Sequence, residues 1–233
     1  MYSSSSDKTV RISYPATGQS RTLATTAYEI KNFDIDKRNN KLIGGTAAGS
    51  LISIDLNTRE ISILPLDAQA SPIHSVSVHP SGKTVAIGNE RGSIKIFDMD
   101  NKVILHELSG HKSGVTTVAF SPDGNMLASS AKDGRMQIWQ TNAYNELPVV
   151  IEDNFKNRNT AYIWDMKFTK DGKFLITGSE DGAVRVWPTN TEYFAQTLCD
   201  QLIRNMTKEE WENYAGNEVN YRSTCLSLLV EDF

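Results

Sequence analysis

The chain has little of what builds a stapled or metal-centred domain. Its 233 residues hold two cysteines and four histidines. Two cysteines, Cys199 and Cys225, make no disulfide framework, and a cytoplasmic reading keeps them as thiols, a bridge between helix and terminus being the alternative. The histidines stand at 74, 79, 106 and 111, with no Cys or carboxylate at ligand spacing, so no metal and no cofactor is expected. Lys and Arg are scattered and the net charge is −4, which gives a phosphate backbone nothing to hold on to. No apolar run approaches the length of a membrane span. The opening Met1-Tyr2-Ser3-Ser4-Ser5-Ser6 lacks the basic and apolar regions of a signal peptide. There is no Gly-x-Ser-x-Gly elbow and no glycine-rich phosphate loop ahead of a helix. Nucleic acid, membrane and the common catalytic constellations drop out together, and no catalytic residue is assigned.

What is present is a repeat. The clearest unit reads Gly110-His111, Phe120-Ser121-Pro122-Asp123-Gly124, Leu127-Ala128-Ser129, Asp133-Gly134, Ile138-Trp139. It returns downstream as Phe168-Thr169-Lys170-Asp171-Gly172, Leu175-Ile176-Thr177, Asp181-Gly182, Val186-Trp187. Upstream it runs from Val78-His79-Pro80-Ser81-Gly82 to Ile96-Phe97, and a fainter copy lies between Ile35 and Ile54. The closing positions Ile54, Phe97, Trp139 and Trp187 recur at intervals of 42 to 48 residues. Such a period marks a repeat architecture. In the clearest unit the alternation of apolar and polar residues predicts strands over Val115–Ser121, Met126–Ser130 and Arg135–Gln140, with a weaker one near Val149–Glu152. Tight-turn residues join them. One such sheet cannot hide both faces, whereas radial stacking can.

In that order the motifs resemble the WD repeat over roughly residues 1–188. The resemblance implies an all-β fold: a partial WD-repeat β-propeller of about four and a half blades, the C-terminal part of a larger ring, with a short α-helical tail. It also implies a buried network of His, Ser or Thr, Asp and Trp within a blade. One unit keeps all four, as His111, Ser129, Asp133 and Trp139. The last keeps Thr177, Asp181 and Trp187, with Asn159 in the His position. Gln69, Arg91 and Ala48 replace network residues in the weaker units. A satisfied buried pair accounts for His111 and Asp133 without catalysis.

Ser6 to Ser13 matches the turn and third strand of a unit, Ser13 standing in the Trp position. The expectation is therefore that N-terminal blades, and an effector domain ahead of them, are missing; a small ring closed by the N-terminal strands is the alternative. Residues 189–233 form a second region, a helical extension packed on the propeller. Phe194, Leu198 and Leu202 share a helical face. Thr207 and Glu210 have capping-box spacing, Met206 and Trp211 staple spacing, and Gly216 ends the helix. The tail, with Arg204-Asn205-Met206-Thr207, Glu210-Trp211, Tyr214, Tyr221 and Thr224-Cys225, resembles the segment closing many bacterial WD-repeat proteins with N-terminal signalling modules. That resemblance implies a bacterial, cytoplasmic protein.

Binding is what remains. The inner strands begin at Ile30, Ile73, Val115 and Ile163, all apolar. The next positions, Lys31, His74, Thr116 and Trp164, differ in size and charge, so no shared packing role explains them. In the family these positions face the channel entrance, as do those just before the turn Asp, here Glu90, Lys132 and Glu180. Trp164 with Tyr162 is either an anchor for a partner or packing between blades. The expected function is a non-catalytic scaffold or sensor for protein or peptide partners. The alternatives are a propeller enzyme with a metal-dependent funnel site, and a truncated product without function of its own.

Overall fold

The computed structural model of the protein describes residues 1–66, 71–152 and 162–189, with 205, 207–210 and 225 in the tail. The described strands form five antiparallel sheets that follow one another along the chain. The first holds β1 (Tyr2–Ser4), β2 (Thr9–Tyr14) and β3 (Gln19–Thr25). The second holds β4 (Ile30–Asp36), β5 (Lys41–Thr46), β6 (Ser50–Asp55) and β7 (Ile61–Pro65). The third holds β8 (Ile73–Val78), β9 (Thr84–Asn89), β10 (Ile94–Asp98) and β11 (Val103–Leu108). The fourth holds β12 (Val115–Phe120), β13 (Met126–Ala131), β14 (Arg135–Gln140) and β15 (Val149–Glu152). The fifth holds β16 (Ile163–Phe168), β17 (Phe174–Ser179) and β18 (Val184–Pro188). Each is a meander, because tight turns let consecutive strands pair directly. The four strands expected in the clearest unit appear at their expected places. Among the described residues the first sheet has no counterpart of β4, β8, β12 and β16.

Turn chemistry sets the hairpins. Gly124 and Gly134 sit at φ 79° and 74°, where a side chain is disfavoured. Ser121 Oγ accepts the Met126 N–H at 2.9 Å and donates to Asp123 at 2.5 Å. Asp133 Oδ1 accepts the Arg135 N–H at 3.1 Å. His79 takes the place of Ser121 in the third sheet. Its Nδ1 lies 2.7 Å from Ser81 Oγ and its Nε2 3.1 Å from the Gly124 carbonyl, so this histidine is a turn residue.

The core lies between sheets. Ile43 and Leu51 of the second sheet cluster with Ile73, Val76, Val85, Ile87 and Phe97 of the third. Ile94 and Ile96 of the third pack with Val115, Val118 and Trp139 of the fourth, and Met136 of the fourth with Ile163, Met166 and Leu175 of the fifth. Each fully buried side chain of this size contributes about 1.5–3 kcal/mol. Polar residues stitch the innermost strands together. Asn32 and Asp34 accept the Val76 and Val78 N–H groups at 3.0 and 2.8 Å. Ser75 and Ser77 accept those of Val118 and Phe120 at 2.9 and 3.1 Å. These buried N–H groups would otherwise be costly.

In the tail, Thr207 and Glu210 form the expected capping box. The Thr207 N–H donates to Glu210 at 2.9 Å, and the Glu210 N–H to Thr207 Oγ1 at 3.2 Å. Asn205 makes two bonds at 2.9 Å to the backbone N–H and C=O of Cys225. Cys225 is buried and disulfide-bonded, which corrects the thiol expectation. Residue spacing does not show that the chain folds back to place Cys225 on Asn205, and that fold-back fixes the cysteine's surroundings. The helical face of Phe194, Leu198 and Leu202, the Met206–Trp211 staple, Gly216, Tyr214 and Tyr221 lie outside the described residues, as do Gln69 and Asn159.

Candidate functional site: a rim of bulge residues

Two sets of residues stand out, one inside the blades and one at the entrance to the inner strands. In the fourth sheet His111 Nε2 lies 2.7 Å from Ser129 Oγ. Its Nδ1 faces Asp133 Oδ1 at 3.4 Å, an electrostatic contact longer than a well-formed hydrogen bond. With the carboxylate on the Nδ1 side, that nitrogen carries the proton and Nε2 accepts from the Ser129 hydroxyl. Burial pushes the imidazole pKa down, against the opposing pull of Asp133. Asp133 also accepts the Lys112 N–H at 2.9 Å. Trp139 joins this group by packing, in a cluster with Phe120 and Leu127. In the fifth sheet the Trp187 indole donates to Thr177 Oγ1 at 3.0 Å. Asp181 turns instead to Arg185 at 2.6 Å, whose hydrogen bonds hold its carboxyl down at about 2. These bonds hold strands of one sheet to each other and to the loops beside them.

The rim has a common origin. Each innermost strand slips register at its second residue: between Ile30 and Asn32, Ile73 and Ser75, Val115 and Thr117, and Ile163 and Asp165. The residues left out of the ladder are Lys31, His74, Thr116 and Trp164. A bulge re-aims the side chain it carries. The preceding residues are tied to the turn of the same sheet by a repeated backbone bond. Ala47, Glu90, Lys132 and Glu180 donate their N–H to the carbonyls of Glu29, Pro72, Gly114 and Tyr162, at 3.3, 3.1, 3.0 and 2.8 Å. Bulge residue and turn residue are thereby set side by side in the second to fifth sheets.

The structure brings three of the expected residues into one group. His74 Nε2 meets the Glu90 carboxylate, and Lys132, from the next sheet, reaches the same carboxylate at 2.8 Å. The Lys132 hydrogen bond, with desolvation opposing it and His74 assisting, holds the Glu90 pKa below its usual range. Lys31 pairs with Glu29 at 2.9 Å, and Thr116 with Ser130 at 2.8 Å. Glu29 and Ser130 carry no motif signal, and only the rim geometry reveals them. Tyr162 and Trp164 form an edge-to-face pair, centroids 6.2 Å apart, and Trp164 is 61% exposed. The rim thus runs from paired charges in the second and third sheets to bare aromatic surface in the fifth. Among the described residues no three His, Cys, Asp or Glu are grouped to hold a metal.

Five meander sheets packed one on the next, four of them with a bulged innermost strand, define a protein built of blade-like repeats. The family model of the WD domain, G-beta repeat, matches residues 102–140 and 153–188, and that of the anaphase-promoting complex subunit 4 WD40 domain matches 39–118. The chain belongs to the WD-repeat family. It is 34% identical over 83 residues to the Bos taurus serine-threonine kinase receptor-associated protein, covering 35% of this chain and 24% of that protein. It is 37% identical over 89 residues to the Rattus norvegicus apoptotic protease-activating factor 1, covering 37% of this chain and 7% of the relative. It is 26% identical over 140 residues to the Arabidopsis thaliana pre-mRNA-processing factor 19 homolog 2, covering 58% and 26%. The matched part is at most about a quarter of the length of each of these relatives.

Proposed function

We propose that the protein is a non-catalytic scaffold that holds a protein or peptide partner at the rim of its innermost strands. The observation that carries this reading is the split between neighbouring positions. The first residue of each inner strand is buried and apolar, with 4% exposure or less at Ile30, Ile73, Val115 and Ile163. The second is bulged out, and its chemistry changes from sheet to sheet. Packing explains the first set; recognition explains the second. Trp164 and Tyr162 supply anchor surface at low entropic cost, and the His74–Glu90–Lys132 group supplies charge. The names of the relatives, a receptor-associated protein and a protease-activating factor, agree with work done by association. The same proposal places residues 1–188 in the interaction domain and 189–233 in a tail packed on it, and takes the chain as the interaction part of a larger bacterial signalling protein acting in the cytoplasm.

The test is affinity capture with quantitative mass spectrometry, comparing the wild-type chain with Trp164→Ala and Lys132→Glu. Both variants should fold, since the side chains are accessible, and both should lose the same partners. Retention of every partner by both variants would overturn the rim as the binding surface.

A further inference from the structure

We propose that the rim of the fifth sheet holds an arginine side chain of the partner, stacked on Trp164 and paired with Glu180. This rests on the reading of the rim as the binding surface and names the chemistry that one corner of it selects.

Three positions make up the rim of a sheet: the residue before the innermost strand, the bulge residue and the turn residue. Contacts in the other sheets show that these positions converge. In the second sheet the bulge residue meets the residue before the strand, as Lys31 pairs with Glu29 at 2.9 Å. In the third it meets the turn residue, as the His74 ring pairs with the Glu90 carboxylate. In the fifth the same three places hold Tyr162, Trp164 and Glu180. Trp164 meets Tyr162 with the ring planes at 87° and the centroids 6.2 Å apart, so the two rings form the walls of a corner. The Glu180 N–H is bonded to the Tyr162 carbonyl at 2.8 Å. Glu180 thus takes the place of Glu90, and Trp164 that of His74. The repeat sets a carboxylate beside the indole, as it sets one beside the imidazole.

What the corner lacks is a cation. Lys31 answers Glu29 in the second sheet, and Lys132 answers Glu90 in the third. Among the described residues no cation answers Glu180, which is exposed. Lys132 is the basic rim residue of the neighbouring fourth sheet, and it turns to Glu90 instead. Arg185 of the fifth sheet is paired with Asp181 at 2.6 Å. The openness belongs to the rim and not to the seam between sheets. Lys31 and His74 keep 39% and 32% of their side chains exposed although the third and fourth sheets pack against their own. Trp164 and Tyr162 stand on the same open edge.

A carboxylate beside two aromatic walls selects a cation that is also flat. Ring faces attract cations electrostatically, indole most strongly. A guanidinium is planar and weakly hydrated, stacks on an aromatic face and gives two parallel N–H donors to a carboxylate. An ammonium is a compact, strongly hydrated point charge without a face to stack. A neutral side chain leaves Glu180 unpaired, and an acidic one is repelled. The net charge of −4 draws a basic segment toward the chain. The occupant is therefore an arginine on an exposed stretch of a partner protein.

The probe is a capped pentapeptide of glycine and serine with one central arginine. It is titrated into the full, nitrogen-labelled chain while the indole N–H signals of the four tryptophans are followed by NMR. The Trp164 signal, assigned by its loss in Trp164→Phe, is expected to move most, with a roughly millimolar Kd. Glu180→Gln should melt with the wild type and weaken this binding about tenfold. A lysine peptide should bind about fivefold more weakly or worse, and a citrulline peptide, of the same shape without the charge, should give no shift. A Trp164 signal that stays still, an equal response to citrulline, or unchanged binding in Glu180→Gln would overturn the proposal. Partner capture separates this result from that of the rim as a whole. Capture lost in Trp164→Ala and Lys132→Glu but kept in Glu180→Gln, with no response to the peptide, retains the rim and removes the arginine. Capture untouched by all three variants overturns both.

Discussion

The second and third sheets have both faces covered, whereas among the described residues nothing covers one face of the fifth, though all three carry the same repeat. In the covered sheets Gly45 and Gly88 are filled notches and the residues around them are fully buried. In the fifth, Gly178 is open and valines stand on bare surface. A residue's energetic role in a repeat therefore comes from the neighbouring sheet as much as from its own position.

Breaking that equivalence gives the largest expected effect. Gly88→Val drives a side chain into Val115 and Val118, and should destabilise by about 3 kcal/mol. Gly178→Val meets nothing and should change stability by less than about 1 kcal/mol, in the favourable direction, since glycine weakens a strand interior. Chemical denaturation of the two variants side by side measures the contrast. The network residues sharpen it at a lower level. Ser129→Ala leaves a buried imidazole without its partner and should cost about 1–3 kcal/mol, whereas Thr177→Val in the half-covered sheet should cost about 1 kcal/mol.

The two sheets also differ in acid. Burial holds the His111 pKa below its ordinary 6.5, so the unfolded chain binds the proton more readily. The stability this contributes is complete above pH 6.5 and is lost as the pH falls through the folded value. Asp181 is held at about 2 against an ordinary 3.8, chiefly by Arg185. Its contribution is complete above pH 3.8 and disappears as the pH falls through 2. Melting temperatures across pH should show a first loss that vanishes in His111→Phe and a later one that vanishes in Asp181→Asn. The smallest effect on stability belongs to Trp164→Ala, within about 0.5 kcal/mol, measured by the same melts; its loss should appear in partner binding instead.

Much of the architecture was legible in the residues. The strands from Val115 to Gln140, the turn roles of Asp123-Gly124 and Asp133-Gly134 and the Thr207–Glu210 capping box follow from local rules of alternation, turn geometry and capping, whereas the His111–Ser129 pair was implied only by the resemblance to the WD repeat. The rim candidates were legible as positions that vary where packing would have kept them alike. The bulge that sets them side by side was not, because a register slip depends on how two strands pair. Nor was the salt-linked group of His74, Glu90 and Lys132, which draws on two sheets. The disulfide at Cys225 stood only as an alternative for a similar reason: counting cysteines gives no distances.

The chain alone determined the period, the alternation of faces along each strand and the places where the backbone must turn, because these depend on residues a few positions apart. Tertiary structure decided which glycine receives a neighbour's side chain, which carboxylate receives a lysine and which apolar row stays bare. Those outcomes depend on what the adjacent sheet brings to each face, and its residues lie about forty positions away or outside the sheet order altogether.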